Sequence, residues 1–169
     1  MAAQVRGRLH ADGTAVWLLR YRFGGWGDGA SYPSPVADSR WALDQVRDEL
    51  GGLPIVLVGH SMGARVAVAV ADDPQVRGVV ALAPWLGPAD PVGTLHGRHL
   101  LAAHGSRDRV TSADATREYI ARAARTALSS EFVDMGPRGH AMLPGASAWN
   151  DVVVHATHRF LTSPPEDNP

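Results

Sequence analysis

Three residues of the sequence have the side-chain types that make a serine hydroxyl nucleophilic, and they occur in the order Ser61, Asp108 and His140. Serine is a poor nucleophile at neutral pH and needs a base within hydrogen-bonding distance, and that imidazole base needs an acid that fixes its tautomer and orientation. Each of the three follows shortly after a stretch that has the pattern of a buried strand. Because loops at the carboxyl ends of parallel strands meet at one edge of a sheet, we expect the three side chains to converge there. Together they would perform acyl transfer through the serine oxygen.

The serine lies in the pentapeptide GHSMG at 59–63, which fits the pattern G-x-S-x-G. In that pattern the serine is at a sharp strand-to-helix corner with strained backbone, and we expect a Cβ at either flanking glycine to collide with the neighbouring chain. The N–H of Met62 would begin the helix and point toward an oxyanion formed on a serine-bound substrate. The alternative is the strand-to-helix turn of a nucleotide-binding fold, but no Lys-Ser/Thr pair follows the second glycine and no G-x-G-x-x-G is present.

The acid and the base each have a structural alternative. Asp108 is also a residue type that caps turns, in which case Asp134 or Asp114 would replace it as the acid. His140 is also interpretable as a loop histidine between two glycine-rich corners.

The other histidines are weaker candidates for chemistry. We expect His60, beside the nucleophile, to point elsewhere, and His96, His99 and His104 share no face that the sequence indicates. We therefore expect no metal and no cofactor.

Strands and helices alternate along the chain, which predicts an α/β fold: a three-layer αβα sandwich with a mainly parallel sheet. The predicted strands are 14–21, 54–58, 78–83, 99–103 and 131–135. The predicted helices are 3–10, 36–50, 62–71, 111–128 and 148–161, the fourth beginning with a capping box of Thr111 and Asp114. The connection at 84–98 is too short for a large lid.

Length and composition fit one domain, which we place at 1–162, followed by a disordered tail at 163–169. A net charge of −1 gives no reason to expect nucleic acid or an anionic membrane as a partner. The absence of cysteine excludes disulfides, thiolate nucleophiles and Cys-metal sites. The first residues carry no apolar leader, so we expect a cytoplasmic protein; the sequence does not indicate its oligomeric state.

The quoted motifs resemble those of the α/β-hydrolase family, whose catalytic serine, acid and histidine follow one another in this order. GHSMG at 59–63, HGSRDRV at 104–110 and GHAML at 139–143 are similar to its nucleophile, acid and base loops, and YRFGGWG at 21–27 resembles the loop after an earlier strand. The resemblance covers nearly the whole chain and implies an α/β-hydrolase fold with a minimal lid or none. It implies that Ser61 is the nucleophile, His140 the general base and Asp108 the residue that orients it.

One part of the family pattern is missing from the sequence. The family takes a second oxyanion donor from a loop, often His-Gly, that precedes the helix resembled by MAAQVRGRLHADG. We therefore expect an N-terminally shortened domain, whose missing strand would have lain between 14–21 and 54–58.

The sequence thus predicts a serine hydrolase that cleaves small carboxylic esters or related acyl compounds through an acyl-enzyme on Ser61. Its partner would be a small acyl substrate, held against an apolar pocket of Phe23, Trp26 and Trp85. The alternative is a non-catalytic binding module or a truncated remnant with an incomplete oxyanion hole.

Overall fold

The computed structural model describes residues 2–22, 25–26, 34–143 and 145–163, and this part of the chain forms one sheet of four strands flanked by five α-helices. The strands are β1 (Ile55–His60), β2 (Val76–Leu82), β3 (His99–His104) and β4 (Ser129–Asp134). The helices are α1 (Ala2–Ala11), α2 (Pro35–Leu50), α3 (Met62–Ala69), α4 (Ala113–Ala123) and α5 (Ala146–Thr162). Residues 164–169, nearly all of the predicted tail, lie outside the described residues.

The strands are all parallel and lie side by side in chain order, β1-β2-β3-β4. Alternate side chains of β2 and β3 enter two separate cores, as expected for strands covered on both faces. One core packs Val79 and Ala102 against α2, α3 and α4, and the other packs Val80 and Leu101 against α1 and α5. The predicted three-layer α/β fold is confirmed.

The connection from β2 to β3 spans residues 83–98 and contains one short 3-10 helix, Gly93–Leu95. It leaves no room for a separate lid between these two strands. None of the helices in the described ranges is long and apolar enough to cross a membrane.

Helix α4 begins and ends at residues other than those predicted. Its N-cap is Ser112, whose hydroxyl accepts a hydrogen bond from the N–H of Ala115, so the expected capping box at Thr111 and Asp114 is wrong. The Thr111 hydroxyl instead donates to Asp108. The helix ends at Ala123 rather than at residue 128, because the next residues form a turn that leads into β4.

The predicted strand at 14–21 is wrong, since the segment forms no regular secondary structure. A strand needs a neighbour to accept and donate its backbone hydrogen bonds, and within the described residues β1 pairs with β2 alone. Residues 14–21 and β1 therefore do not pair. Trp17 and Leu18 of this segment remain exposed.

Candidate active site

Ser61 occupies the turn between β1 and α3 and has a backbone that non-glycine residues rarely adopt, with φ of 54° and ψ of −117°. The turn is held on both sides: the N–H of Ser61 donates to the carbonyl of Leu82 at 3.0 Å, and its carbonyl accepts from the N–H of Trp85 at 3.2 Å. The serine side chain makes no capping hydrogen bond to α3. Its hydroxyl is therefore available to a partner outside the helix.

The two glycines that flank the serine have different roles. A Cβ built on Gly59 would lie 2.3 Å from the carbonyl oxygen of Gly63, so only glycine fits where β1 meets the start of α3. A Cβ on Gly63 would meet only the hydroxyl of Tyr21, at an ordinary 3.8 Å. The expectation that both positions require glycine is therefore correct for the first and wrong for the second.

The structure brings the serine, the histidine and the aspartate together at the carboxyl edge of the sheet. Nε2 of His140 lies 3.0 Å from Oγ of Ser61, and Nδ1 of His140 lies 2.8 Å from Oδ2 of Asp108. The side chain of Asp108 is 1% exposed and that of His140 is 18% exposed. The imidazole thus connects a buried carboxylate with the hydroxyl of Ser61.

Asp108 is held ionised by the donors around it. Its Oδ1 accepts from the N–H groups of Val110 at 2.8 Å and Thr111 at 3.0 Å, and its Oδ2 accepts from the Thr111 hydroxyl at 2.9 Å as well as from His140. Burial acts to raise the pKa of Asp108, but these hydrogen bonds outweigh it and keep the pKa well below its usual range. The carboxylate is therefore charged at neutral pH and able to stabilise an imidazolium.

The two replacement acids considered from the sequence lie elsewhere. Asp114 accepts from the guanidinium of Arg117 at 2.9 Å, and Asp134 accepts from the N–H of Gly136 at 2.7 Å. Both side chains are exposed, and both pair with Arg117. The structure thus places only Asp108, of these three acids, against His140.

His60 does not point away from the site, so that expectation is wrong. Its Nε2 lies 2.9 Å from the backbone carbonyl oxygen of His140, and the two rings are 4.7 Å apart between centroids. His60 is the last residue of β1, and the carboxyl end of that strand is adjacent to the loop that carries His140. Burial is the main cause that lowers the pKa of His60, which favours its neutral form.

Two further residues at Asp108 were not predicted as site residues from the sequence. The Thr111 hydroxyl lies 3.2 Å from Nδ1 of His140, and Nε2 of His104 lies 3.1 Å from Oδ2 of Asp108. His104 is the last residue of β3 and precedes Asp108 by one short turn. The strand-end rule that selects the acid would therefore also have selected this histidine.

Trp85 is bonded to the serine turn through its backbone N–H, and its side chain packs against Trp26 and Arg65. Trp85 and Trp26 meet edge to face with centroids 6.3 Å apart, and they are 45% and 39% exposed. The guanidinium of Arg65 lies 4.2 Å from the ring of Trp26 and 4.7 Å from that of Trp85. Its charge is paired with Asp90 at 2.7 Å. Phe23, the third predicted pocket residue, lies outside the described residues.

Met62 is the first residue of α3, so its N–H belongs to the helix-terminal donors that have no acceptor within the helix. An oxygen anion formed on Ser61 would be next to this helix end, where a negative charge is favoured. In the described ranges, no group of three or more histidine and carboxylate side chains is arranged to hold a metal ion.

Comparison with known proteins supports one family. A profile described as the alpha/beta hydrolase family matches residues 2–168. The solved structure of an alpha-beta serine hydrolase homologue from Coxiella burnetii aligns with a TM-score of 0.61 at 21% identity, over 79% of this chain and 62% of that one. The esterase domain of a Rhodothermus marinus protein aligns with a TM-score of 0.63 at 18% identity, over 80% and 72%.

A serine hydrolase without a lid from Xanthomonas campestris aligns with a TM-score of 0.64 at 19% identity, over 84% of this chain and 62% of that one. At such identities the similarity shows a shared fold. The chain spans 62% of the length of the Coxiella protein. A search of curated proteins gave no match.

Proposed function

The chain belongs to the alpha/beta hydrolase family, and from that premise we propose that it is a serine hydrolase that cleaves small carboxylic esters or related acyl compounds. The observation that carries this proposal is the continuous contact from Ser61 Oγ to His140 Nε2 at 3.0 Å and from His140 Nδ1 to Asp108 Oδ2 at 2.8 Å. The three residues come from three different loops, so the contact depends on the fold rather than on neighbouring positions in the chain. A cytoplasmic location stays a prediction from the sequence.

The proposed reaction passes through an acyl-enzyme on Ser61. His140 takes the hydroxyl proton as the serine oxygen attacks the acyl carbon, and the N–H of Met62 stabilises the negative oxygen of the tetrahedral intermediate. His140 then gives that proton to the leaving group. In the second half, His140 activates a water that releases the acid, and Asp108 stabilises the imidazolium in both halves.

The surroundings of Ser61 favour a small acyl group. Trp85 is linked to the serine turn by its backbone hydrogen bond to the Ser61 carbonyl, and its ring meets that of Trp26 to form a half-exposed aromatic wall against which Arg65 packs. Within the described part of the chain, the short connection at 83–98 does not enclose this wall. Such a surface fits a short apolar chain better than a long one that would need enclosure.

A fluorophosphonate probe tests the proposal directly, because it labels only serines that are activated as nucleophiles. We expect labelling of the wild-type protein and of Ser147→Ala, which removes an exposed serine in the first turn of α5, and none of Ser61→Ala. Hydrolysis of p-nitrophenyl acetate should follow the same order. Equal labelling of wild type and Ser61→Ala, or an unlabelled wild type with a native circular dichroism spectrum, would overturn the proposal; the second result would favour a non-catalytic binding module.

A further inference from the structure

Asp108 contacts two imidazoles, and the second one has no part in the reaction proposed above. His104 is completely buried, and its Nε2 lies 3.1 Å from the same Oδ2 of Asp108 that accepts from His140. A histidine with no exposed surface needs partners for both ring nitrogens, since an unpaired buried polar group is costly. The structure supplies both, because Nδ1 of His104 lies 2.9 Å from the hydroxyl of Thr116 on α4.

These partners determine where the His104 proton lies. Nε2 faces an ionised carboxylate, so it carries the proton, and Nδ1 must accept one. The Thr116 hydroxyl has that proton to give; its other acceptor within reach is the carbonyl of Ser112, at 3.1 Å. Burial is the main cause that lowers the pKa of His104, which agrees with a neutral ring that donates one hydrogen bond to Asp108.

We propose that His104 is a positioning residue, which uses its Nε2–H to hold Oδ2 of Asp108 where that oxygen accepts the Nδ1–H of His140. Oδ1 is fixed by two backbone N–H groups of the loop, whereas Oδ2 depends on side chains, namely Thr111 and His104 besides His140 itself. This inference rests on the proposed function, since it concerns how the base of that reaction is oriented. The proposed role requires a hydrogen-bond donor at the position of Nε2 of His104, and not only a ring of the right volume.

His104 and Thr111 both act on Oδ2 of Asp108: the Thr111 hydroxyl donates to that oxygen at 2.9 Å and lies 3.3 Å from Nε2 of His104. The loop after β3 contributes Asp108, the loop after β4 contributes His140, and α4 contributes the neutral Thr116. His60, at the end of β1, faces His140 rather than His104.

Two substitutions of His104 distinguish the effect of losing its hydrogen bond from the effect of changing its side-chain volume. His104→Phe keeps a ring but removes the donor, whereas the amide nitrogen of His104→Gln replaces Nε2. We expect kcat/KM for p-nitrophenyl acetate to fall by roughly 10- to 100-fold in His104→Phe, the rate equivalent of one hydrogen bond to a charged group, and to stay within about threefold of wild type in His104→Gln. Equal losses in both variants, or no loss in His104→Phe, would overturn the proposal.

A second readout does not depend on activity. The proton that His140 shares with Asp108 should give a far-downfield ¹H NMR resonance, assigned by its absence in His140→Gln, that persists in His104→Gln and is shifted or lost in His104→Phe. An unchanged resonance in His104→Phe would count against the positioning role. If the wild-type protein fails to react with fluorophosphonate, the proposed function fails, and this resonance still tests the contact.

If His104→Phe does not fold, Thr116→Val replaces it in both measurements. Valine keeps the shape of threonine but takes away the hydroxyl that donates to Nδ1 of His104. We expect a loss of about threefold or more in kcat/KM and a shifted resonance, because the imidazole is then less firmly held. Wild-type values for both would overturn the proposal.

Discussion

Nδ1 of His140 lies 2.8 Å from Oδ2 of Asp108, whose side chain is almost completely buried. In Asp108→Asn, the amide oxygen would stay on the backbone N–H groups of the loop, and the NH₂ group would face His140. The imidazole would then have to accept at Nδ1 and carry its proton on Nε2, where it cannot take a proton from Ser61. We expect kcat to fall by roughly 10⁴-fold while the protein stays folded.

Asp134→Asn is the matched control for this prediction, because Asp134 is the last residue of the neighbouring strand β4 but is exposed and pairs with Arg117. Its p-nitrophenyl acetate hydrolysis should match that of wild type. A loss in Asp134→Asn as large as that in Asp108→Asn would mean that the acid is wrongly assigned.

Replacing each of the two glycines of the serine turn by alanine should change the free energy of unfolding in opposite directions. In Gly59→Ala the new Cβ would lie 2.3 Å from a backbone oxygen, which cannot move aside as a side chain can, and we expect a loss of about 3 kcal/mol or more in the free energy of unfolding. In Gly63→Ala the new Cβ would meet only the hydroxyl of Tyr21, at 3.8 Å. Alanine is favoured over glycine within a helix by about 1 kcal/mol, so we expect the free energy of unfolding to stay the same or rise. Urea denaturation of the two variants measures the difference. Similar losses in both would show that the turn is crowded on both sides.

The sequence was sufficient to predict which loops meet. Ser61, Asp108 and His140 follow β1, β3 and β4, and once these strands are taken as parallel, the loops that follow them must open at the same edge of the sheet. The common edge of these three loops was therefore predictable from their position at the carboxyl ends of parallel strands.

Side-chain direction and strand pairing were not predictable in this way. The apolar residues at 14–21 have the composition of a strand, but pairing depends on a neighbour that no local pattern reveals. His60 and His104 each end a strand at the site edge; His60 contacts the loop that follows β4, and His104 contacts a hydroxyl of α4. Such contacts arise only when distant segments pack together.

The stability of the protein should fall on acidification from neutral pH. Burial lowers the pKa of His60 and His104 in the folded protein, whereas in the unfolded chain these histidines take up protons below about pH 6.5. The unfolded state therefore binds more protons in this range, and the free energy of unfolding decreases as the pH falls. Urea denaturation of wild type between pH 8 and pH 5 should show the decrease.

His104→Gln removes one of the titrating groups and should show a smaller decrease over the same range. An equal decrease in wild type and His104→Gln would mean that the buried imidazole contributes nothing to the pH dependence. Below about pH 4, Asp108 also makes the free energy of unfolding decrease as the pH falls. Its pKa is lower in the folded protein, so the unfolded chain takes up this proton first, and the stability that the ionised carboxylate contributes is lost in strong acid.

The wall formed by Trp26 and Trp85 should set the preference for acyl chain length. Trp85→Ala removes the ring but keeps the backbone N–H that binds the Ser61 carbonyl, so the serine turn should persist. A butyryl chain has two methylene groups more than an acetyl group, and each gains about 0.8 kcal/mol on full burial. We expect wild type to prefer p-nitrophenyl butyrate over the acetate, and Trp85→Ala to reduce the ratio of the two kcat/KM values by roughly 3- to 10-fold.

Trp41→Ala is the control for this prediction, because Trp41 is a tryptophan on α2 with 61% of its surface exposed. Its substitution removes the same side chain and should leave the butyrate-to-acetate ratio unchanged. If Trp85→Ala also left the ratio unchanged, the acyl chain would have to bind away from the Trp26–Trp85 wall. A change in the acetate rate alone would indicate that Trp85 acts on the serine turn and not on the acyl chain, since acetate has almost no chain to contact the ring.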